Sequence, residues 1–366
     1  MTRRGLEKND NMKLLVYSAK DFEIPFLKSA NKDQYEVTFT KIALDSETAL
    51  QAVGYNAISI FSGDDASPIV LEKLWDIGVR YITLRSSGYN NVNIKTAKRF
   101  GFHVANASDY SPHAIAEHAT ALLLALNRKI VLANTRVQNY NFIQDDLMGF
   151  NLHGKTVGIV GTGRIGSIMA KIMHGFGCKI LAFDQATDYD LIELCNVTYT
   201  PLNELCKESD IISLHIPMNY ENYYFINKKK LAMMKKNVVL VNTSRGALVD
   251  TYALIEALEA KNIAGYATDV YEKEKGIFFK NHFKNGLKDE RLKKLISFPN
   301  VLLTPHQAFI TKEALTNIAE ITFENLDSWS QGQISKNELG MESRTEYSYF
   351  IFFIFIVRHK LLNFFL

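Results

Sequence analysis

Apolar positions in this chain recur in two rhythms that alternate along most of its length. Short apolar runs cover residues 13–18, 35–40, 57–61, 81–85 and 102–106, each the length of a buried strand. Between them, residues 24–32, 46–53, 67–75 and 93–100 carry the spacing of helices. Alternating strand and helix predicts a parallel sheet covered on both faces. Ser111 then offers a good helix cap and Pro112 a good first helical residue, and apolar positions continue through Leu122 and Leu126 to about Val137. That spacing predicts one long helix opening a second domain. The strand–helix rhythm resumes with apolar runs at 156–160, 179–184, 211–216, 238–242, 264–270 and 301–306. A final helical stretch, 311–329, carries Leu315, Ile318, Ile321, Phe323 and Leu326. The predicted fold class is α/β, with two doubly wound domains.

The most informative stretch begins as the apolar run Val157-Gly-Ile-Val160 and breaks into Gly161-Thr-Gly163-Arg164-Ile165-Gly166. It continues as a helix whose positions Ile165, Ile168, Met169, Ile172 and Phe176 share one face. Between a strand and a helix, this is a dinucleotide fingerprint. Gly161 allows the tight turn, Gly163 lets backbone approach a pyrophosphate, and Gly166 lets the helix pack close on the strand. The helix N-terminus adds unbonded N–H groups and a positive dipole end. The next apolar run ends in Asp184, where the ribose-binding carboxylate is expected. A carboxylate there accepts from two ribose hydroxyls and repels a 2′-phosphate. The expected cofactor is therefore NAD, although Arg164 and Lys179 are cations close to the same site.

Composition narrows the class. A chain of 366 residues holds about two ordinary domains. With 47% hydrophobic and 22% charged residues it has ample material for cores. A net charge of +3, spread along the chain, does not suggest nucleic acid. Cys178, Cys195 and Cys206 have no metal-ligand spacing, so no metal is expected. They read as reduced thiols of a cytoplasmic protein. Residues 1–11 are polar without an apolar core and do not read as a signal peptide; Met12 is a candidate start. Residues 347–357 form an apolar run too short for an ordinary transmembrane helix. Residues 341–366 could lie on a membrane or a partner, or be an extension dispensable for activity; the second is expected, with no membrane partner.

Candidate chemistry stands at the ends of the predicted strands. After Arg85, the backbone N–H groups of Ser87 and Gly88 could hold a carboxylate, or the segment could be a mere turn. His113 and His118 read as core or surface residues rather than ligands. Residues 238–247 deliver Asn242, Thr243, Ser244 and Arg245 to a strand's carboxyl edge, and Asp250 caps the helix that follows. Glu274 follows the next strand and His306 the last. Each is ambiguous alone. Together, an arginine, a glutamate and a histidine at carboxyl ends of strands in one sheet point to its ligand crevice.

In this order, GTGRIG, NTSRGALVD, DVYEKE and TPHQAF resemble the D-2-hydroxyacid dehydrogenase family, as do LRSSGYNN and YSPHAIAEHA earlier. The resemblance runs from about Met12 to Gly340. It implies two Rossmann/flavodoxin-like domains with the active-site cleft between them. Residues 12–109 plus 308–340 would form the substrate domain and 110–307 the NAD domain, with 1–11 and 341–366 as extensions. It implies that His306 donates a proton to the substrate carbonyl, that Glu274 hydrogen-bonds the imidazole in its charged form, and that Arg245 grips the substrate carboxylate. Arg164 and Ile165 would lie at the phosphates, and Ile216, Pro217, Asn222, Thr243 and Ser244 would line the cofactor pocket. Asp269 would sit near the nicotinamide carboxamide, and Tyr110 and Phe309 would border the substrate methyl. The insertion at 275–298 resembles the lactate-acting branch, which implies reduction of pyruvate to D-lactate. Other 2-hydroxy acids (2-hydroxyisocaproate, glycerate) and a dinucleotide-sensing binding protein are the alternatives. A homodimer paired through the nucleotide domain is also implied.

Overall fold

In the computed structural model, which describes residues 12–340 apart from Asp109, the eleven apolar runs become strands, and a twelfth strand lies at residues 198–199. The chain divides into two units, one made of residues up to Tyr110 and from Leu315 on, the other of Ser111–Ala314. In the first unit, β1 (Lys13–Val16), β2 (Glu36–Phe39), β3 (Ala57–Ile60), β4 (Tyr81–Leu84) and β5 (His103–Ala105) form a parallel sheet in the order β2-β1-β3-β4-β5. Its helices are α1 (Ile24–Asn31), α2 (Pro68–Asp76) and α3 (Ile94–Phe100). The sheet is buried on both faces. Ile58, Ile82 and Leu84 pack with Leu71 and Leu74, while Leu14 and Val16 pack with Phe323 and Trp329.

The second unit opens with α4 (Pro112–Asn127) and α5 (Ile130–Gln138). Its strands are β6 (Thr156–Val160), β7 (Lys179–Phe183), β8 (Thr198–Tyr199), β9 (Ile211–Leu214), β10 (Val239–Asn242), β11 (Gly265–Thr268) and β12 (Val301–Leu303). They form one parallel sheet in the order β12-β11-β10-β9-β6-β7-β8. The helices among them are α6 (Arg164–Gly175), α7 (Tyr189–Cys195), α8 (Leu202–Glu208), α9 (Lys228–Met233), α10 (Thr251–Glu259) and α11 (Glu290–Ile296); α12 (Lys312–Ser330) follows. All three cysteines are buried. β6 lies between β7 and β9, so the strand order reverses beside it. Ligands of open α/β sheets bind at such a point, outside the carboxyl ends of the strands.

Two predicted helices differ. Residues 46–53 form only the 3-10 turn Ala49–Ala52. The side chain of Asp45 accepts from the N–H of Glu47 and of Thr48, which competes with helical bonding, and Gly54 follows at φ +85°. The long helix from Pro112 is broken in two. Asn127 spends its buried amide on Phe150, with Nδ2 donating to the carbonyl at 2.8 Å and Oδ1 accepting from the N–H at 2.9 Å. Lys129 then turns left-handed at φ 54° before α5 begins. The two-residue strand β8 is too short for a periodic signal. The expectations for residues 1–11, Asp109 and 341–366 fall outside the described residues.

Candidate active site

The glycine loop follows β6. Gly161 has φ +91°, and a Cβ there would stand 2.7 Å from His215 O and from Ile216 Cγ2. A Cβ on Gly166 would stand 1.8 Å from Gly161 O, so helix and strand touch through their backbones. A Cβ on Gly163 would meet nothing within 4 Å; the loop is open on that side. Arg164 is the exposed first residue of α6, and Ile165 is half-buried beside it. Beneath the loop, His215 bonds Ser213 Oγ through Nε2 at 2.8 Å, and burial pushes its imidazole down to about 4. It is neutral at physiological pH.

Asp184 stands just past β7 and faces this loop. Its Oδ2 accepts from the N–H of Thr162 at 2.6 Å and from its hydroxyl at 3.2 Å, and Oδ1 accepts from the N–H of Ala186 at 3.1 Å. Burial pushes the carboxyl up, but the backbone N–H groups of Thr162, Ala186 and Gln185 and the Thr162 hydroxyl outweigh it and hold it below the usual range. An ionised acceptor beside an open glycine loop and a helix N-terminus fits the ribose and pyrophosphate of NAD.

The expected cofactor-lining residues divide. Ile216 packs behind Gly161. Pro217 and Asn222 close a loop of their own, with Asn222 Nδ2 donating to Pro217 O at 2.5 Å and Oδ1 accepting from Asn219 at 2.7 Å. That amide keeps one N–H beyond its own turn. Ser244 donates to Leu214 O at 2.7 Å, tying β10 to β9. Thr243 keeps a buried hydroxyl with no hydrogen-bond partner among the described residues. A buried orphan at the carboxyl edge of the sheet fits a polar ligand group there.

Arg245 follows at the same edge. Asn242 Nδ2 donates to its carbonyl at 2.9 Å, and its own Nη1 donates to Ser244 O at 2.7 Å. A Cβ on Gly246 would lie 2.0 Å from the carbonyl carbon of Tyr271 and 2.3 Å from Glu272 N. The arginine turn is thereby pressed onto the segment leading to Glu274. Glu272 is anchored in turn by Thr251 Oγ1 and Arg291, a residue of α11.

Beyond β12, His306 stands at φ 57°, a left-handed conformation uncommon for a residue with a Cβ. Its Nδ1 lies 3.0 Å from Glu274 Oε1. A carboxylate can only accept, so Nδ1 carries the hydrogen and Nε2 is left for other work. The ring is partly accessible, at 18% of its side-chain surface. Phe279, itself at φ 62°, places its ring centroid 6.0 Å from that of the imidazole.

Asp269 follows β11 at the carboxyl edge of the same sheet. Its carboxylate is 1% exposed and turned onto the histidine loop, where Oδ1 accepts from Thr304 Oγ1 and Gln307 N and Oδ2 from Ala308 N. The physical reason is that the loop's unpaired donors need a buried acceptor. His118 Nε2 completes this cluster, 3.1 Å from Thr304 Oγ1. His118 and Phe279 are the neighbours that spacing did not reveal. Phe309 is buried in the same unit.

The remaining expected residues belong to the first unit. Ser87 is exposed after β4, with its carbonyl accepting from Asn106 Nδ2 at 2.6 Å. Ser86 Oγ donates to Gly88 O at 2.7 Å, so this turn is closed internally. The Tyr110 carbonyl accepts from Asn317 Nδ2 at 2.6 Å.

Comparison with known proteins gives this geometry a family. Residues 120–308 match the family model for the D-isomer specific 2-hydroxyacid dehydrogenase NAD binding domain. The chain is 45% identical over 333 residues to a D-lactate dehydrogenase of Curvularia clavata, covering 90% of this chain and 95% of that protein. It is 40% identical over 334 residues to an aromatic 2-oxoacid reductase of Clostridium sporogenes, covering 89% of this chain and 99% of that protein. A solved structure, that of the pyruvate reductase of Chlamydomonas reinhardtii, superposes with a TM-score of 0.85 at 37% identity, covering 90% of this chain and 99% of that one. With a glycine loop open to a dinucleotide and an imidazole held by a carboxylate on the same sheet, the chain belongs to the D-isomer-specific 2-hydroxyacid dehydrogenases, oxidoreductases that use NAD.

Proposed function

We propose that this enzyme reduces pyruvate to D-lactate, reversibly, with His306 as the proton donor. The observation that carries the reading is the 3.0 Å contact between His306 Nδ1 and Glu274 Oε1. NAD in its reduced form supplies the hydride. A second hydrogen on the imidazole, at Nε2, would pass to the carbonyl oxygen as hydride reaches the carbon. Glu274 stabilises the charged ring before transfer and keeps its orientation afterward. Arg245 would bind the substrate carboxylate through two parallel N–H contacts and draw charge toward the developing alkoxide. No carboxylate among the described residues pairs with its guanidinium, which leaves the fork available for such a ligand. Ser87 and Gly88 are proposed carboxylate-binding residues through their backbone N–H groups, and Tyr110 and Phe309 are proposed neighbours of the substrate methyl. In this reading residues 12–109 and 308–340 serve the substrate and 110–307 serve NAD, held by Arg164, Ile165, Asp184 and the orphan hydroxyl of Thr243.

The choice of pyruvate is supported by the Curvularia relative and by the phenyl ring of Phe279, which limits space around the imidazole. A larger 2-oxo acid is the second reading, favoured by the Clostridium relative. An NADH-oxidation assay over a panel of 2-oxo acids, with chiral analysis of product, decides between them. Pyruvate should give the highest kcat/KM and D-lactate the product; a phenyl- or branched-chain acid clearly outrunning pyruvate would overturn the assignment.

A second copy of this chain is the proposed partner. α5 has no buried residue, and it exposes Ile130, Val131 and Leu132 beside the equally exposed Phe142, Ile143 and Met148. So much apolar surface in one stretch marks an interface. Sedimentation should give a dimer that Val131→Asp with Phe142→Asp splits; a wild-type monomer would refute it. Among the described residues no helix is long and apolar enough to cross a membrane, and cytoplasmic location is part of this proposal.

A further inference from the structure

Thr304 joins two groups that differ in what they can do with a hydrogen. Its hydroxyl donates to Asp269 Oδ1 at 2.5 Å. A hydroxyl has a single hydrogen, so in its 3.1 Å contact with His118 Nε2 the threonine oxygen must accept. His118 Nε2 therefore carries a hydrogen and donates it, and it also lies 3.5 Å from Asp269 Oδ1. Burial pushes the Asp269 carboxyl up, but His118, Thr304 and the N–H groups of Gln307 and Ala308 outweigh it and hold it below its usual range. The result is one directed chain from His118 through Thr304 to a buried anion. That anion also collects the two N–H groups immediately after His306.

His306 needs such support. A residue with a Cβ in the left-handed region costs on the order of 1 kcal/mol and persists only where its neighbours impose it. Thr304 N is bonded to Thr268 O at 2.9 Å and His306 N to Thr304 O at 3.0 Å, so the loop is tied on its strand side as well. Glu274 fixes the ring, whereas Asp269 fixes the backbone beneath it.

We propose that His118 is a positioning residue for proton transfer: from α4, through Thr304 and Asp269, it holds the turn on which the His306 imidazole stands. This rests on the reading of His306 as proton donor. Without the His118 donor the Thr304 oxygen loses its partner, and the buried carboxylate loses a nearby positive dipole. The turn then relaxes while the ring stays on Glu274. Misplacement of about 1 Å in such a group costs up to roughly 10²-fold in rate.

The test compares His118→Phe with His118→Gln in the full chain, using NADH and pyruvate. The phenylalanine variant should lose about 10- to 100-fold in kcat while its Kd for NADH stays within about twofold. The glutamine variant, which retains an N–H donor, should recover most of that loss. Wild-type kcat in the phenylalanine variant, or equal losses in both variants, would overturn the proposal. His306→Ala serves as the control: undiminished turnover there would remove the proton-donor reading and this inference with it, whereas undiminished turnover in His118→Phe alone removes only the inference.

Discussion

Arg85 and Arg245 occupy matching places in the two sheets. Each stands shortly past the carboxyl end of a parallel strand and is followed by small residues. Arg85 is 1% exposed; its Nε and Nη2 donate to Glu23, its Nη1 to Ser59 Oγ and its Nη2 also to Tyr17 O. Every face of that guanidinium is consumed in holding β1, β3 and β4 together. Arg245 is half-buried, spends Nη1 on the carbonyl of its neighbour, and meets no carboxylate among the described residues. A charge that the fold has already neutralised can bind nothing further. One held at a surface with unspent donors is ready for an anionic ligand. The difference lies in the inventory of partners, which spacing along the chain does not contain.

The largest test of this contrast is Arg245→Gln. Losing the carboxylate fork should lower kcat/KM on the order of 10³-fold, about 4 kcal/mol of transition-state stabilisation, with little change in Tm. Lysine should restore only part, since it lacks the planar pair of donors. A fall in Tm without a kinetic defect would erase the distinction.

Arg85→Met should do the reverse. It strands Glu23, whose side chain is 4% exposed, and should cost about 3 kcal/mol in urea unfolding while kcat of the folded protein is unchanged. Removing both charges, Arg85→Met with Glu23→Leu, should recover much of that loss. A double variant as unstable as the single one would show that the hydrogen bonds to Ser59 and Tyr17 matter more than the pair.

A smaller effect concerns the space near His306. Phe279→Ala should raise kcat/KM for phenylpyruvate relative to pyruvate by about tenfold. Parallel loss on both substrates would mean that the phenyl ring supports the imidazole without bounding the substrate.

The smallest effect is in pH dependence, where the two units again differ. Asp64, in contact with the Arg85 region, has its carboxyl raised by burial despite bonds from Phe61, Ser18 and Leu44 and the charge of Arg85, whereas Asp269 is lowered. A lowered acid contributes stability that is complete above the unfolded value of 3.8 and is lost as pH falls through the folded value. A raised acid contributes stability that is complete below 3.8 and is lost as pH rises through its folded value. Urea midpoints from about pH 6 to about pH 3 should therefore show the advantage of wild type over Asp269→Asn shrinking at the acid end. A constant difference would mean that the buried carboxylate titrates no differently when unfolded.

By itself, the amino-acid order determined the features that depend on neighbours in the chain. Short apolar runs placed the strands of both sheets apart from β8, and a period of 3.6 placed most helices, because a buried strand or helix face must be apolar whatever it packs against. Gly161 and Gly166 were legible because a tight turn and a backbone contact between helix and strand exclude a Cβ. Ser111 and Asp250 were legible as caps because a cap bonds within its own first turn. Arg245, Glu274 and His306 could be picked out because strand ends of a parallel sheet share one edge. Only the tertiary structure decided where side chains turn once there. Asn127 meets Phe150 beside the left-handed Lys129, where a helix that spacing alone predicts as continuous is broken. Asp269 turns inward to a loop 35 residues away, and His118 finds Thr304 across 186 residues. Such partners are chosen by packing and by the need to satisfy buried donors, and neither leaves a local periodicity to read.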